Sequence, residues 1–228
     1  MANTVTLATL RTRARERSDM VNSSFVSSAE LLQYINASYS ELYDLMVGKF
    51  EDYYTVSSTE TIAQGANTIT LPTDFYKMRG LDYQLDANNW VLVSKFNFAN
   101  RNQLNRSTAR SVRGVTALQY RIVGNTIRIE PESAAPGTYR LWYTPIYTPL
   151  SAESDTVDGI NGWEEYVVID AAIKMLAKEE SSTTHLEKEK AAMLQRIEVM
   201  AQSRDSGAPE SITDVSIENQ DDLLPWGY

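Results

Sequence analysis

The sequence predicts an α+β protein: a helical bundle built from both chain ends, with an inserted, mostly antiparallel β-sheet domain. Three observations predict it. Residues 118–150, LQYRIVGNTIRIEPESAAPGTYRLWYTPIYTPL, alternate apolar and polar side chains between turn residues, as strands do. The segments before residue 52 and after residue 161 instead repeat apolar side chains at helical spacing. Between the first helical part and residue 118 lie further short alternating runs broken by glycine, proline and asparagine. The boundaries expected are 1–52 and 151–203 for the helical domain, 53–150 for the sheet domain, and 204–228 for an extended C-terminal arm.

The sheet is organised around Gly124-Asn125, a two-residue turn whose residues tolerate positive φ. It sets Ile122 opposite Ile127 and Tyr120 opposite Ile129, giving one apolar face. After the Pro131–Gly137 loop, Tyr139, Leu141 and Tyr143 extend that face in a third strand. Thr144-Pro145 and Thr148-Pro149 then stop the sheet, because proline cannot donate to a ladder. Upstream, strands are predicted around 54–58, 68–72, 78–85 and 90–93, with a short turn at Asp74–Tyr76. Residues 94–104 read as a short helix with Phe96, Phe98 and Leu104 inward, and 105–114 as a polar, basic loop.

Four helices are predicted. Thr6 caps the first, over 7–18, with Leu7, Leu10 and Ala14 on one side. Its Arg11, Arg13, Arg15 and Arg17 suit a helix C-terminus and scatter around the helix rather than forming a stripe. Ser27 and Glu30 make a capping box for the second helix, with Val26 and Leu31 placed as a hydrophobic staple. Leu31, Ile35, Leu42, Leu45, Met46 and Phe50 carry its inner side to about residue 51, and Tyr34, Tyr39 and Tyr43 widen it. Asn161 caps the third, with Glu164 at its third position and Val167, Val168, Ala171, Ala172, Met175 and Leu176 inward. Thr184 and Glu187 open the fourth, which runs to about Ser203 with Leu186, Met193, Leu194, Ile197 and Met200 inward. The short linker between the last two makes them an antiparallel hairpin.

Composition narrows the function. The chain has no cysteine, so disulfides and thiolate chemistry are excluded. No apolar run approaches the ~20 residues of a membrane span, and no membrane partner is expected. The N-terminus lacks the apolar core of a signal peptide, so export is not expected and the Asn22, Asn36 and Asn105 glycosylation triplets read as coincidence. The net charge of −9 is divided: residues 1–86 sum to −4, residues 87–150 to +6 and residues 151–228 to −11. No acidic side chain occurs from Ala87 to Ile129. Such two-sidedness means either solvated surfaces of opposite sign or ordered contacts between copies or with a charged partner.

Three groups of residues are candidates for those contacts. Arg101, Arg106, Arg110 and Arg113 lie in the basic stretch. Arg121 and Arg128 face each other across the hairpin, and Arg140 joins them from the next strand; like charges so placed either splay into water or meet an acidic partner or phosphate. The arm after Arg204 is acidic and aperiodic, so it is expected to be loose in the free subunit. Yet it ends Leu223-Leu224-Pro225-Trp226-Gly227-Tyr228, apolar area that a solvated tail does not need.

Catalytic signatures are missing. His185, the single histidine, sits at a predicted helix start and reads as a surface side chain. There is no HExxH, EF-hand, P-loop, GxGxxG or GxSxG, so neither metal nor cofactor is expected. Glu164-Glu165 and Glu179-Glu180 are neighbours that point about 100° apart on a helix, not a pair set to share a glycosidic bond.

The order of these elements resembles the head-to-tail adaptor (connector) proteins of tailed bacteriophages, especially short-tailed ones. Four places carry the resemblance: Thr6–Arg11 with Phe25–Asn36; Ile69–Arg79, which contains Leu71-Pro72-Thr73-Asp74-Phe75; the strands Ile127–Pro131 and Gly137–Tyr143; and the two last helices entered through Trp163-Glu164-Glu165-Tyr166. They cover about residues 4–203, while the basic stretch after Asn97 and the arm after Arg204 depart from the family pattern. The resemblance implies a homo-oligomeric ring, usually a dodecamer, beneath the portal protein in the virion, made in the host cytoplasm. Such a ring extends the DNA channel without sequence-specific binding and offers a platform to tail nozzle or tail fibre proteins. It is not an enzyme. Alternatives are another tail-tube or nozzle component, a cell-wall-degrading tail enzyme with two carboxylates facing a cleft, and a monomeric nucleic-acid-binding module using Arg101–Arg113.

Overall fold

The computed structural model describes residues 4–50, 52–104, 111–112, 115–116 and 118–202. Arg106, Arg110, Arg113 and the segment 223–228 therefore lie outside the described residues. The chain opens with strand β1 (Thr4–Thr6) and helices α1 (Leu7–Arg17) and α2 (Ser28–Lys49). Strands β2 (Val56–Ile62), β3 (Thr68–Thr70), β4 (Phe75–Gln84), β5 (Trp90–Leu92) and β6 (Ser94–Lys95) follow, then the single turn α3 (Arg101–Leu104). Next come β7 (Ser111–Val112), β8 (Val115–Thr116), β9 (Gln119–Val123), β10 (Thr126–Glu130), β11 (Gly137–Pro145) and β12 (Thr156–Asp158). Helices α4 (Glu165–Lys178) and α5 (Thr184–Gln202) close the described chain. The fold is α+β, as predicted.

Capping chemistry starts the first two helices where expected. The Thr6 hydroxyl accepts from the Thr9 amide at 3.2 Å. Ser27 accepts from the Glu30 amide at 3.2 Å, and Glu30 accepts from the Ser27 amide at 2.9 Å. Val26 and Leu31, the staple pair, are fully buried. The later starts differ. Asn161 is not the cap of α4; it stands at φ 48° inside a 3-10 turn over Ile160–Gly162, and the helix begins at Glu165. Glu164 precedes it without capping, because its carboxylate turns to Arg13 at 3.3 Å. At α5 the reciprocal pair is Thr183 and Glu187, one residue earlier than Thr184: the Thr183 hydroxyl donates to Glu187 at 2.6 Å, and the Glu187 amide donates to the Thr183 carbonyl at 3.0 Å.

Helices α1, α2, α4 and α5 share one core, in which Leu7, Leu10, Ala14, Leu31, Ile35, Val167, Ala171, Met175 and Ile197 are fully buried. The α4–α5 hairpin is antiparallel. Leu186 packs with Ile169 and Ala172, Lys190 reaches Asp170 at 2.6 Å, and Arg196 reaches the Asn161 carbonyl at 3.1 Å. Met200, expected inward, is exposed. The pairing of β1 with β12, which ties the two ends of the layer together, was not predicted. Three-residue strands give too little alternation to be seen.

Besides the two-stranded pairs β1-β12 and β7-β8, the β elements form two four-stranded sheets, ordered β2-β11-β4-β5 and β3-β10-β9-β6. One core fills the space between them, with Ile62, Leu81, Tyr139 and Leu141 from the first sheet meeting Ile69, Tyr120, Ile127 and Ile129 from the second. The β9–β10 register is the predicted one, with Ile122 opposite Ile127, Tyr120 opposite Ile129 and Arg121 opposite Arg128. The third strand does not extend that sheet. β11 crosses over and lies between β2 and β4 of the opposite sheet. Its connection, with a 3-10 turn over Glu132–Ala134 and Gly137 at φ 150°, is too long to be a tight hairpin.

Residues 94–104 do not form the single helix expected. Val93 donates to Leu81 in one sheet at 2.8 Å and Phe96 to Tyr120 in the other at 3.1 Å. The chain thus steps between sheets here, and β6 pairs parallel to β9. Phe96 is buried as predicted, whereas Phe98 is exposed under the Arg101 guanidinium; the Leu104 side chain lies outside the description. Asp74–Tyr76 is likewise not a turn throughout, since β4 already begins at Phe75.

Candidate assembly surfaces

Helix α1 is basic towards its end, and the residues from Glu153 to Glu189 that meet it are acidic. Arg13 and Arg17 both bind Glu165, Arg17 also reaches Glu189 at 3.3 Å, and Arg11 pairs with Glu153. Arg15 donates to the carbonyls of Met20, Ser23 and Val26. These pairs join the two acidic segments, 1–86 and 151–228, and leave the charge of the basic segment 87–150 untouched. These arginines are tied inward, which argues against a free basic surface on α1.

A polar cluster holds α5 against α2 and α4. Asp170, 3% exposed, accepts from Lys174 and Lys190 at 2.6 Å each and from the Ser38 hydroxyl at 2.6 Å. Burial pushes this carboxyl up, but the bonds from Lys174, Lys190 and Ser38 outweigh burial and hold it below the usual range. Burial pushes Lys190 down, and its bond to Asp170 more than reverses this, so the ammonium is raised. The cluster is saturated with ion pairs and fits a clamp, not an acid–base catalyst.

On the sheet layer, the structure places the described arginine candidates apart. Arg121 and Arg128 do face each other, but each has its own acceptor: Arg121 donates to the Phe96 carbonyl at 3.1 Å, and Arg128 Nε donates to Glu130 at 2.7 Å. Glu130 is fully buried and is the first acid after the long basic stretch. Residues two apart on a strand share a face, so this pairing was legible in the sequence and was missed. Arg140 does not join them. It sits on β11 in the other sheet, its guanidinium 3.9 Å from the Trp90 ring centroid and 5.7 Å from that of Trp142. Arg101 stacks on Phe98 at 4.5 Å and donates to its carbonyl at 3.0 Å.

Where the two layers meet, sequence reasoning missed a site altogether. The segments 53–56 and 145–156 carry the chain between the layers, and with α2 they line a cleft of about 760 Å³. Five tyrosines and two prolines stand in its walls, with Ser151, Ser154, Asp155 and Thr156 along one side. Tyr43 and Tyr54 stack with centroids 4.4 Å apart, Tyr53 meets Tyr54 edge-on at 4.5 Å, and Tyr39 meets Tyr147 edge-on at 5.8 Å. Tyr43 donates to the Pro145 carbonyl at 2.6 Å, and Asn36 clamps the Leu150 backbone by donating to its carbonyl at 3.0 Å and accepting from its amide at 2.8 Å. Asn36 is therefore committed to the fold, consistent with reading its glycosylation triplet as coincidence. Burial pushes the Tyr43 hydroxyl up to about 12 and Tyr54 higher still. These phenols stay neutral at ordinary pH. The cleft can hold apolar and aromatic groups, and its one lining carboxylate, Asp155, is spent on the Ser151 and Ala152 amides, whose bonds hold it below the usual range. In the sequence Tyr39 and Tyr43 widen the α2 stripe and Tyr54 opens a strand, and nothing says that residues 39–43, 53–54 and 147 converge.

His185 is 82% exposed, 3.4 Å from Glu189. Among the described residues no cluster of His, Asp and Glu could hold a metal ion, and no helix is long and apolar enough to cross a membrane.

Two packed cores, ion-pair clamps between the helices and a tyrosine-rich cleft at the seam make up the described part of this α+β chain. The sequence matches the family described as SU10 adaptor protein over residues 5–213. The chain belongs to that family, and its role is that of a structural phage adaptor, a component of the virion. No curated protein matches the chain.

Proposed function

We propose that this chain is the repeating subunit of a ring, twelve copies around the DNA channel, seated beneath the portal protein at the head–tail junction. The ring extends the channel, lets DNA pass without reading its sequence, and gives tail nozzle or tail fibre proteins their platform. Residues 1–52 with 151–203 act as the portal-facing helical unit, residues 53–150 as the tail-facing unit, and 204–228 as an anchoring arm. The observation that carries the reading is the family match across residues 5–213 of a chain whose two ends meet in one helical layer. The subunit is synthesised in the host cytoplasm and joins the particle there.

The arginines of this region, Arg101, Arg106, Arg110 and Arg113 with Arg121, Arg128 and Arg140, meet acidic protein surface on a neighbour or a tail protein rather than DNA. Each phosphate contact adds salt-dependent affinity, and a channel through which DNA must slide gains nothing from it. Leu223, Leu224, Pro225, Trp226 and Tyr228 anchor the subunit to the portal or to an adjacent subunit. Burying a large aliphatic side chain is worth roughly 1.5–3 kcal/mol, and repetition around a ring multiplies the effect. Deleting residues 221–228 from the phage-encoded protein and measuring attachment to portal-bearing heads tests this. Loss of attachment is expected, whereas wild-type attachment would remove the arm from the account.

A further inference from the structure

Three large apolar side chains that the fold leaves exposed gather at the seam between the layers: Val56, Tyr76 and Ile146, at 40%, 47% and 49%. Val56 and Ile146 line the junction cleft, and Tyr76 lines an adjoining depression of about 360 Å³ that shares Tyr43, Ile146, Tyr147 and Pro149 with it. Cavities of these sizes hold peptide-scale and drug-scale ligands. An exposed apolar patch beside a concave, aromatic wall marks a place where something docks.

The chain supplies a matching segment. Helix α5 ends at Gln202 beside the end of α2, from which the chain runs on to Tyr53 and Tyr54: Lys49 pairs with Glu198 at 3.2 Å, and Ala201 is buried in the core against which Tyr53 and Tyr54 pack. No aromatic residue occurs between Tyr166 and Trp226; then Trp226 and Tyr228 come together with Leu223, Leu224 and Pro225. Twenty residues, 203–222, separate Gln202 from Leu223, and a spacer of that length can bridge about 25 Å. A tether of that length gives its end an effective concentration in the millimolar range, so even a weak site is filled.

We infer that the junction cleft is a docking site for an aromatic, proline-containing peptide segment, and that its occupant is residues 223–228 of the same chain. The inference rests on reading those residues as a docking element. What it adds is the site, and a free subunit that holds its arm in place of the loose arm expected from composition. The ring then exchanges this internal contact for one on the portal or on a neighbour.

Photo-cross-linking of the full chain tests it. With p-benzoylphenylalanine in place of Trp226, irradiation of the free subunit at low concentration should give cross-links within one chain to residues 53–56 or 145–156. Ile146→Glu, at an exposed position, should lower their yield on the order of tenfold by setting a charge against the ligand's apolar surface. Cross-links that map elsewhere, that join different copies only, or that ignore Ile146→Glu would each overturn the inference. If deletion of 221–228 abolishes attachment while the cross-links map elsewhere, the arm remains an anchor and this site falls. If attachment survives while the cross-links map to the cleft, the anchor falls and the site stands.

Discussion

Asp170 shows how much of this molecule is decided by single side chains. It binds Lys174 on its own helix, Lys190 on α5 and Ser38 on α2. Asp170→Ala should destabilise the protein by about 2–3 kcal/mol in denaturant titration. That is less than the ~3–5 kcal/mol typical of a broken, fully buried pair, because both lysines keep Glu41 within 3.3 Å. A variant within error of wild type would contradict the clamp. Acid should expose the same dependence. Asp170 titrates below its ordinary value in the folded protein, as does Glu30, brought to about 2 by bonds from Lys178 and then Ser27. Their stabilisation is complete above the unfolded carboxyl values near 4, and it is lost as pH falls below them, for Glu30 towards about 2. The melting temperature should therefore drop across that window, and a midpoint flat from pH 5 to pH 2 would refute the assignment. Of Asp170's partners only Lys174, four residues on, was legible in the sequence. Ser38 and Lys190 come from other helices.

Among the elements, those governed by local chemistry were the readable ones. The α2 capping box and the β9–β10 register are set by residues within a few positions of each other, and both stand as predicted. The destination of β11 was not readable. Alternation of Tyr139, Leu141 and Tyr143 says that one face is buried, and it cannot say against which sheet. The crossing depends instead on Gly137, where the backbone takes φ 150° and an added Cβ would stand 2.5 Å from the Tyr83 ring. Gly137→Ala should cost about 2–3 kcal/mol, combining backbone strain with overpacking. Chemical denaturation measures it directly, and a cost below about 0.5 kcal/mol, the ordinary range for surface changes, would show that the crossing is not held there.

At the scale of the whole molecule, the sequence indicated two kinds of structure in the right order and missed the seam between them. The tyrosine cleft arises because α2 and the two crossing segments converge, and no local pattern encodes convergence over more than a hundred residues. The charge division was visible, but its meaning was only half visible. The α1 arginines spend their charge on Glu153, Glu164, Glu165 and Glu189, and in the sheet layer Arg121 and Arg128 likewise have acceptors of their own. Membership of the adaptor family makes the subunit a virion component, and assembly into a ring is the central claim built on it. Imaging purified virions by electron cryomicroscopy, with the density traced at the head–tail junction, tests that claim most directly. The account predicts a closed ring of twelve copies of this 25.7 kDa chain around the channel, helical layer against the portal and sandwich towards the tail. A single copy per particle, or density for this chain anywhere other than that junction, would contradict it.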